Sequence, residues 1–156
     1  MPEDEHQQAA VVAFLSKDAE RISTHGAHVF LRGDRAIKLK RAVKYSFMDF
    51  STVEKRRRAL EAELSLNAPI APDLYLGVEP ICDVDGRLTI GGAGRPLEWV
   101  LIMRRFRQDD LLSEKARAGG ISADTIESLA HSLVEAHRTC PRVDRAEFDE
   151  FRKQFG

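Results

Sequence analysis

Residues 29–40 read VFLRGDRAIKLK and contain the clearest strand and turn signals of the chain. Its first three residues are apolar and suit a strand core, and the Gly-Asp pair that follows marks a turn. Beyond the turn, polar and apolar side chains alternate strictly, so Ile37 and Leu39 share one face of a second strand. The opposite face of that strand holds Ala36, Lys38 and Lys40. The stretch therefore predicts a β-hairpin.

A helix is predicted directly after this hairpin, from residue 51 to about Asn67. Ser51 and Glu54 have the spacing of a capping box, in which the serine hydroxyl and the glutamate each satisfy a free backbone amide. Pro69 ends the helix because proline cannot continue it. The predicted buried stripe consists of Val53, Leu60 and Leu64, and the arginines at 56–58 lie mostly on the wet side.

The remaining pattern continues with strands and then with helices. The predicted elements are a helix over 6–16, strands over 74–78 and 87–90 joined by an Asp85-Gly86 turn, a buried strand over 98–103, helices over 110–118 and from Ser122 to Cys140, and the start of another helix within 145–156. A single helix interrupts the block of strands. This order predicts an α+β fold, because a doubly wound sheet would alternate strands and helices throughout.

Composition excludes several classes of protein. Lysine and arginine total 24 and aspartate and glutamate 25, and this balance argues against a nucleic-acid partner. The two cysteines lack CxxC spacing, which is typical of cytosolic proteins. An acidic start and the lack of any long apolar run argue against a signal peptide and a membrane span. We therefore expect a cytoplasmic protein with no membrane partner.

Lys38 is the first candidate for binding a phosphate group. Phosphate sites need positive charge or backbone amides, and neither GxxxxGK[ST] nor GxGxxG occurs in the chain. Kinases place a lysine on a strand with a small residue two positions earlier on the same face, and Ala36 and Lys38 match this pattern. The simpler alternative is an exposed lysine on a solvated strand face.

Kinases hold this lysine with a glutamate from the next helix. Glu61 is the preferred partner because it lies one turn before Leu64, on a flank of the predicted buried stripe. Glu63 is the alternative, and both acids could instead pair on the surface with the arginines at 56–58. The strand over 98–103 runs into further arginines, as a kinase hinge does, with Met103 lining the pocket; the alternative is a core strand followed by solvated arginines.

Several segments in series resemble the N-terminal part of the aminoglycoside-phosphotransferase-like family, in the bacterial branch often fused to a P-loop ATP-binding domain. The segments that carry the likeness are residues 24–25, 29–40, 47–52, 71–78 and 100–106, within a span from about 20 to about 139. The resemblance implies a protein-kinase-like fold, ATP or GTP with Mg²⁺, and phosphoryl transfer to a small-molecule hydroxyl. We expect an N-terminal helix over 1–20 from the apolar spacing, and the resemblance implies an N-terminal lobe over 21–106 and a hinge with the start of a C-terminal lobe over 107–156.

The resemblance also assigns residues. Lys38 would bind phosphate with Glu61 as its partner, and the other predicted nucleotide contacts are Ala36, Met103 and Arg104. A turn would lie over the phosphates, formed by Thr24, His25 and Gly26, although it lacks the three glycines of protein kinases. No catalytic or metal-binding residue is assigned, because the family's His-Gly-Asp loop has no counterpart and no His-x-Asp occurs in the sequence.

Three expectations follow from that missing loop. We expect the chain to be part of a longer enzyme and to catalyse no transfer alone. We expect apolar faces of the last helices, such as residues 129–134, to be exposed and to favour self-association. Two rival functions stay open at this point, an interaction module whose arginine runs contact an acidic protein and a remnant without a ligand.

A metal site at His25 and His28 is disfavoured, since zinc takes three or four ligands.

Overall fold

The computed structural model describes residues 2–140 and 142, which form helices and strands in a mixed α+β arrangement. In chain order the elements are α1 (Pro2–Leu15), β1 (Glu20–Ser23), β2 (Ala27–Arg32), β3 (Arg35–Lys40), β4 (Lys44–Tyr45), β5 (Met48–Asp49), α2 (Val53–Asn67), β6 (Tyr75–Val84), β7 (Arg87–Ile90), β8 (Pro96–Arg104), a short 3₁₀ turn (Gln108–Asp110), α3 (Leu112–Arg117) and α4 (Ala123–Thr139). The predicted α+β class is confirmed.

Six strands make one antiparallel sheet in the order β1-β2-β3-β8-β6-β7, and β4 pairs with β5 separately. The predicted β2–β3 hairpin is confirmed, with Phe30 opposite Ile37 and a turn in which Gly33 has φ +55°. The β6–β7 hairpin turns at Asp85 and Gly86, whose φ values of 53° and 77° suit the Asp-Gly pair. Local turn chemistry therefore sets both registers.

One face of the sheet, here called the α1 face, packs against the first helix. The hydrophobic core there contains Val11 and Leu15 from α1. The strands contribute fully or almost fully buried apolar residues, namely Phe30, Ile37, Leu39, Ile81 and Val100. Ile37 and Leu39 point into this core as the alternation of β3 predicts. The opposite face, the α2 face, carries Ala36, Lys38, Lys40 and Leu101 and is crossed by α2.

Helix α2 has nearly the predicted bounds but a different cap. The predicted capping box at Ser51 and Glu54 is wrong, because Thr52 is the N-cap and accepts from the Lys55 amide at 3.3 Å. Asp49 lies two residues before Ser51 and accepts its hydroxyl at 2.6 Å, which withdraws that hydroxyl from the helix. Glu54 pairs with Arg58 at 3.0 Å and does not reach back.

A buried ion pair ties α2 to the sheet, and it corrects the expectation of a mostly wet run at 56–58 for one residue, Arg56. The guanidinium of Arg56 lies 2.7 Å from the carboxylate of Glu98, and both side chains are 1 % exposed. Arg56 also donates to the Phe50 carbonyl at 2.8 Å. Gln8 of α1 donates to the same Glu98 oxygen at 3.0 Å. These bonds satisfy charges that would otherwise be costly to bury.

The chain divides into two compact units after Phe106. In the second unit, Ser122 caps α4 by accepting from the Thr125 amide at 3.2 Å, as the predicted helix start requires. The apolar side chains of α4 are largely exposed, including Ile126 at 59 % and Leu133 at 51 %. The expected exposure is confirmed, and the self-association expected from it stays a prediction. The helix start predicted within 145–156 lies outside the described residues.

Within residues 2–140 and 142, no helix combines the length and the apolar character that crossing a bilayer requires.

Candidate functional site

A strand lysine meets a helix acid on the α2 face. Lys38 Nζ donates to Glu63 Oε1 at 2.6 Å, and Lys40 Nζ donates to Glu63 Oε2 at 2.9 Å. The side chains of Lys38, Glu63 and Lys40 are 23, 16 and 14 % exposed, so the cluster is largely shielded from water. One carboxylate faces two ammonium groups, and the cluster therefore keeps a net positive charge that can attract an anion.

Opposing effects act on the pKa of Glu63. Burial is the largest effect and raises the pKa, but the hydrogen bonds and charges of Lys38 and Lys40 together outweigh it and hold the pKa below its ordinary value. The acid is therefore ionised at neutral pH. Burial, with a smaller contribution from the Glu63 charge, raises the pKa of Tyr75. Tyr75 thus borders the same cluster.

The prediction that Glu61 is the partner of Lys38 is wrong, and the alternative, Glu63, is the acid that Lys38 contacts. Glu61 Oε1 accepts from Arg57 Nε at 2.8 Å, and its side chain is 45 % exposed. Helical phase explains the difference. Glu63 follows the fully buried Leu60 by three residues and therefore shares its side of the helix, whereas Glu61 does not.

An apolar patch adjoins the charged cluster. Ala36 lies opposite Met103 of β8, and it also lies opposite Leu31 of β2. Met103 in turn lies opposite Tyr75 of β6. Residues opposite each other in an antiparallel sheet share a face, so all four line the α2 face. Ala36 and Leu31 are buried, whereas Met103 and Tyr75 are half-buried. The sheet thus brings Ala36 and Met103 together, two residues along β3 from Lys38.

The turn between β1 and β2 is held by local bonds and by one arginine. Thr24 closes the turn, since its amide donates to the Ala27 carbonyl at 2.9 Å. Arg41 Nη1 donates to the carbonyls of Thr24 and His25 at 2.9 and 3.3 Å, and the Arg41 amide donates to the Gly26 carbonyl at 3.0 Å. Because Ala27 lies opposite Lys40, this turn stands at the Lys40 end of the charged cluster.

Arg104 occupies the last position of β8, and strand alternation places it on the opposite face of the sheet from Ala36 and Met103. Its side chain is exposed, and the residue is opposite Arg35. The Arg104 amide donates to the Leu74 carbonyl at 2.8 Å and is therefore not free to bind a ligand. A nucleotide contact by Arg104 would have to come from its side chain, and it stays a prediction.

The two histidines weighed as metal ligands have separate surroundings. His25 is exposed in the turn, while His28 Nδ1 lies 2.9 Å from Ser23 Oγ. In the part of the chain that the structure describes, no three side chains of histidine, cysteine, aspartate or glutamate come together as a metal site would require.

Three residues of this face were not assigned from the sequence, namely Lys40, Tyr75 and Leu31. Strand alternation already placed Lys40 on the same face as Lys38, and this pattern could have identified Lys40 as a site residue. Tyr75 and Leu31 join the site through the strand order β2-β3-β8-β6. That order depends on pairing between distant segments, which periodicity does not reveal.

The known proteins that resemble this chain do not indicate a function. No protein-family model and no solved structure matches the chain significantly. Uncharacterized proteins of Mycobacterium bovis and Mycobacterium tuberculosis are each 36 % identical to it over 119 residues. These alignments cover 76 % of this chain and 22 % of each relative, so the chain spans about a fifth of the length of these curated relatives.

Proposed function

We propose that residues 21–106 form the nucleotide-binding lobe of a kinase-like small-molecule phosphotransferase, related to the aminoglycoside phosphotransferases. The observation that carries the proposal is the ion pair between Lys38 and Glu63, at 2.6 Å. A strand lysine held by an acid of the following helix, with a small residue two positions earlier, is the arrangement that kinases use to place a lysine on the nucleotide phosphates.

The charged cluster suits a triphosphate. Each lysine ammonium has three donors, and Lys38 and Lys40 each use one of them on Glu63. The remaining donors can reach phosphate oxygens without breaking the ion pairs. With two positive charges against one negative charge, the cluster favours ATP or GTP, which would bring Mg²⁺ to neutralise the remaining phosphate charge.

The order of side chains along β3 gives the nucleotide a direction. Ala36, Lys38 and Lys40 follow one another on the α2 face at intervals of about 6.6 Å, since each strand residue adds about 3.3 Å. The adenine would lie on the apolar patch of Ala36 and Met103, and the phosphates would extend past Lys38 toward Lys40. The turn that contains Gly26 stands at that end and would cover the terminal phosphates.

Catalysis itself would need residues that this sequence does not contain. The resemblance implies a His-Gly-Asp loop to orient the acceptor hydroxyl and further acids to hold Mg²⁺, and no His-x-Asp occurs here. We therefore assign nucleotide binding, and not phosphoryl transfer, to this chain in a cytoplasmic enzyme. The much greater length of the mycobacterial relatives leaves room for such residues in a longer protein.

The alternative function, an interaction module that binds an acidic protein through its arginine runs, is weakened because the arginines at 56–58 have partners within the chain. Arg56 is buried against Glu98, and Arg57 stacks on Trp99 with its guanidinium 4.6 Å from the ring centroid. Arg58 pairs with Glu54 on the same helix. These contacts engage the run at 56–58 within the chain, and in the second run Arg105 and Arg107 pair with Glu20 and Asp109, respectively.

Binding of Mg-ATP by the full chain tests the proposal, measured by isothermal titration calorimetry. Lys38→Met should weaken binding about ten- to a hundred-fold, because a charge-assisted hydrogen bond contributes about 1.5–3 kcal/mol. Lys44→Met is the matched control, since this exposed lysine of β4 lies 3.8 Å from Asp49 and away from the cluster. Equal affinity of the two variants for Mg-ATP would overturn the proposal, as would no binding by the unmodified chain.

A further inference from the structure

A cavity of about 440 Å³ lies on the α1 face, between α1 and the β1–β2 hairpin. One wall is apolar and includes Val12 of α1 with Ala42 and Val43 from the segment after β3. The other wall carries Arg21, His28 and Arg41. Its volume is in the range that small-molecule pockets occupy. Because it opens on the opposite face of the sheet from Lys38, it is separate from the proposed nucleotide site.

The charges around this cavity are not balanced. Among the described side chains that line it, none is a carboxylate. Within the described part of the chain, the guanidinium of Arg21 donates no hydrogen bond and forms no ion pair. Burial lowers the pKa of His28, and the positive charges of Arg41 and Arg21 lower it further, so all three groups influence the same space. Two permanent cations therefore face a partly apolar cavity, and no described acid of the lining balances their charge.

We propose that this cavity binds a small organic anion with one carboxylate group on a short apolar body. The guanidinium groups of Arg21 and Arg41 would hold the carboxylate, since their planar donor pairs match its two oxygens. The apolar body would pack against Val12, Ala42 and Val43. A free inorganic phosphate matches the cations but not this apolar wall, where a strongly hydrated dianion would lose its water.

Arg41 can serve the ligand without leaving its present partners. Only its Nη1 donates to the carbonyls of Thr24 and His25, so Nε and Nη2 remain for a carboxylate. The same side chain therefore touches both the cavity and the β1–β2 turn. This double role means that replacing Arg41 could disturb the turn, whereas Arg21 has no other described polar contact to lose.

The test uses hexanoate as the probe, titrated into the ¹⁵N-labelled full chain and followed by NMR. Hexanol is the neutral probe of the same length, and inorganic phosphate is the anion without an apolar body. We expect saturable hexanoate shifts at the amides of Val12, Ala42 and Val43, with affinity at least about ten-fold above that of either control probe. Equal affinity for hexanol or for phosphate would overturn the proposal, and so would shifts elsewhere on the sheet.

Two variants test whether hexanoate binds in this cavity. Arg21→Gln should weaken hexanoate binding about ten-fold or more and leave the thermal unfolding midpoint unchanged within about 2 °C, because a surface substitution changes stability little. Arg58→Gln removes a charge from α2 on the far side of the sheet and should bind hexanoate normally. Wild-type affinity in Arg21→Gln would contradict the assignment, whatever the result with Arg41→Gln.

Discussion

The two faces of β3 differ sharply although their residues alternate along one strand. Ile37 and Leu39 are buried in the core under α1, while Lys38 and Lys40 keep charged ends on the α2 face. The apolar face provides the burial that holds the strand in place. The opposite face is therefore free to carry two lysines and one acid, whose contribution to folding we expect to be smaller than that of the core. Stability and the proposed binding site are thus divided between alternate residues.

One contact joins the two faces, and its removal should have the largest effect on stability. Arg56→Leu would leave the carboxylate of Glu98 buried and short of its cation, which costs about 3–5 kcal/mol of the free energy of unfolding. Arg58→Leu, on the exposed side of α2, should change that free energy by no more than about 0.5 kcal/mol. Urea denaturation of both variants measures the difference.

The double variant separates a lost charge partner from lost packing. Arg56→Leu combined with Glu98→Leu removes both charges and should recover much of the stability that Arg56→Leu loses. If the double variant were less stable than Arg56→Leu, the ion pair would not be the reason for the loss.

Truncation on either face of β3 tests the division directly. Leu39→Ala should lower the free energy of unfolding by about 2–5 kcal/mol, because it opens a cavity in the core. Lys38→Ala should lower it by no more than about 1 kcal/mol, since Glu63 keeps Lys40 as a partner. Equal losses in the two variants, measured by urea denaturation, would show that the α2 face contributes to folding as much as the core does.

Glu63 should make the free energy of unfolding depend on pH, with an effect smaller than those of the truncations. The pKa of Glu63 is lower in the folded chain than its ordinary value, so the unfolded chain takes up this proton first as the pH falls. The stabilisation from Glu63 is thus complete above its ordinary pKa of about 4.3 and is lost as the pH falls through the folded pKa. The stability difference between wild type and Glu63→Gln should shrink over that window.

Glu61→Gln is the matched control for this measurement, because Glu61 lies on the same helix and pairs with Arg57 on the exposed side. It should leave the pH dependence of unfolding close to that of the wild type. The same dependence in both variants would show that Glu63 is not the acid that responds.

Sequence patterns predicted those parts of the fold that local chemistry determines. The alternation over residues 36–40, the Asp85-Gly86 turn and the end of α2 at Asn67 follow from neighbours within a few residues, and the structure agrees with each. The capping box failed for an equally local reason, since Asp49 competes for the Ser51 hydroxyl. A predicted motif thus holds only if no nearer acceptor is available.

The errors at the candidate site came from long-range contacts. Arg56 looked solvated because its partner, Glu98, lies 42 residues away within an apparently apolar strand. The choice between Glu61 and Glu63 depended on how α2 crosses the sheet, and the three apolar residues of its predicted stripe did not fix that rotation. With Arg56, Leu60 and Glu63 together on one side, the observed stripe is partly polar, which hydrophobic periodicity cannot detect.

The most direct test of the nucleotide proposal is to observe which face of β3 responds to Mg-ATP. Methyl NMR of the full chain can follow Ala36 and Met103 on the α2 face together with Ile37 and Leu39 on the α1 face. We expect saturable shifts at the methyl groups of Ala36 and Met103 and much smaller shifts at those of Ile37 and Leu39. Shifts confined to the α1 face, or none on either face at millimolar Mg-ATP, would contradict it.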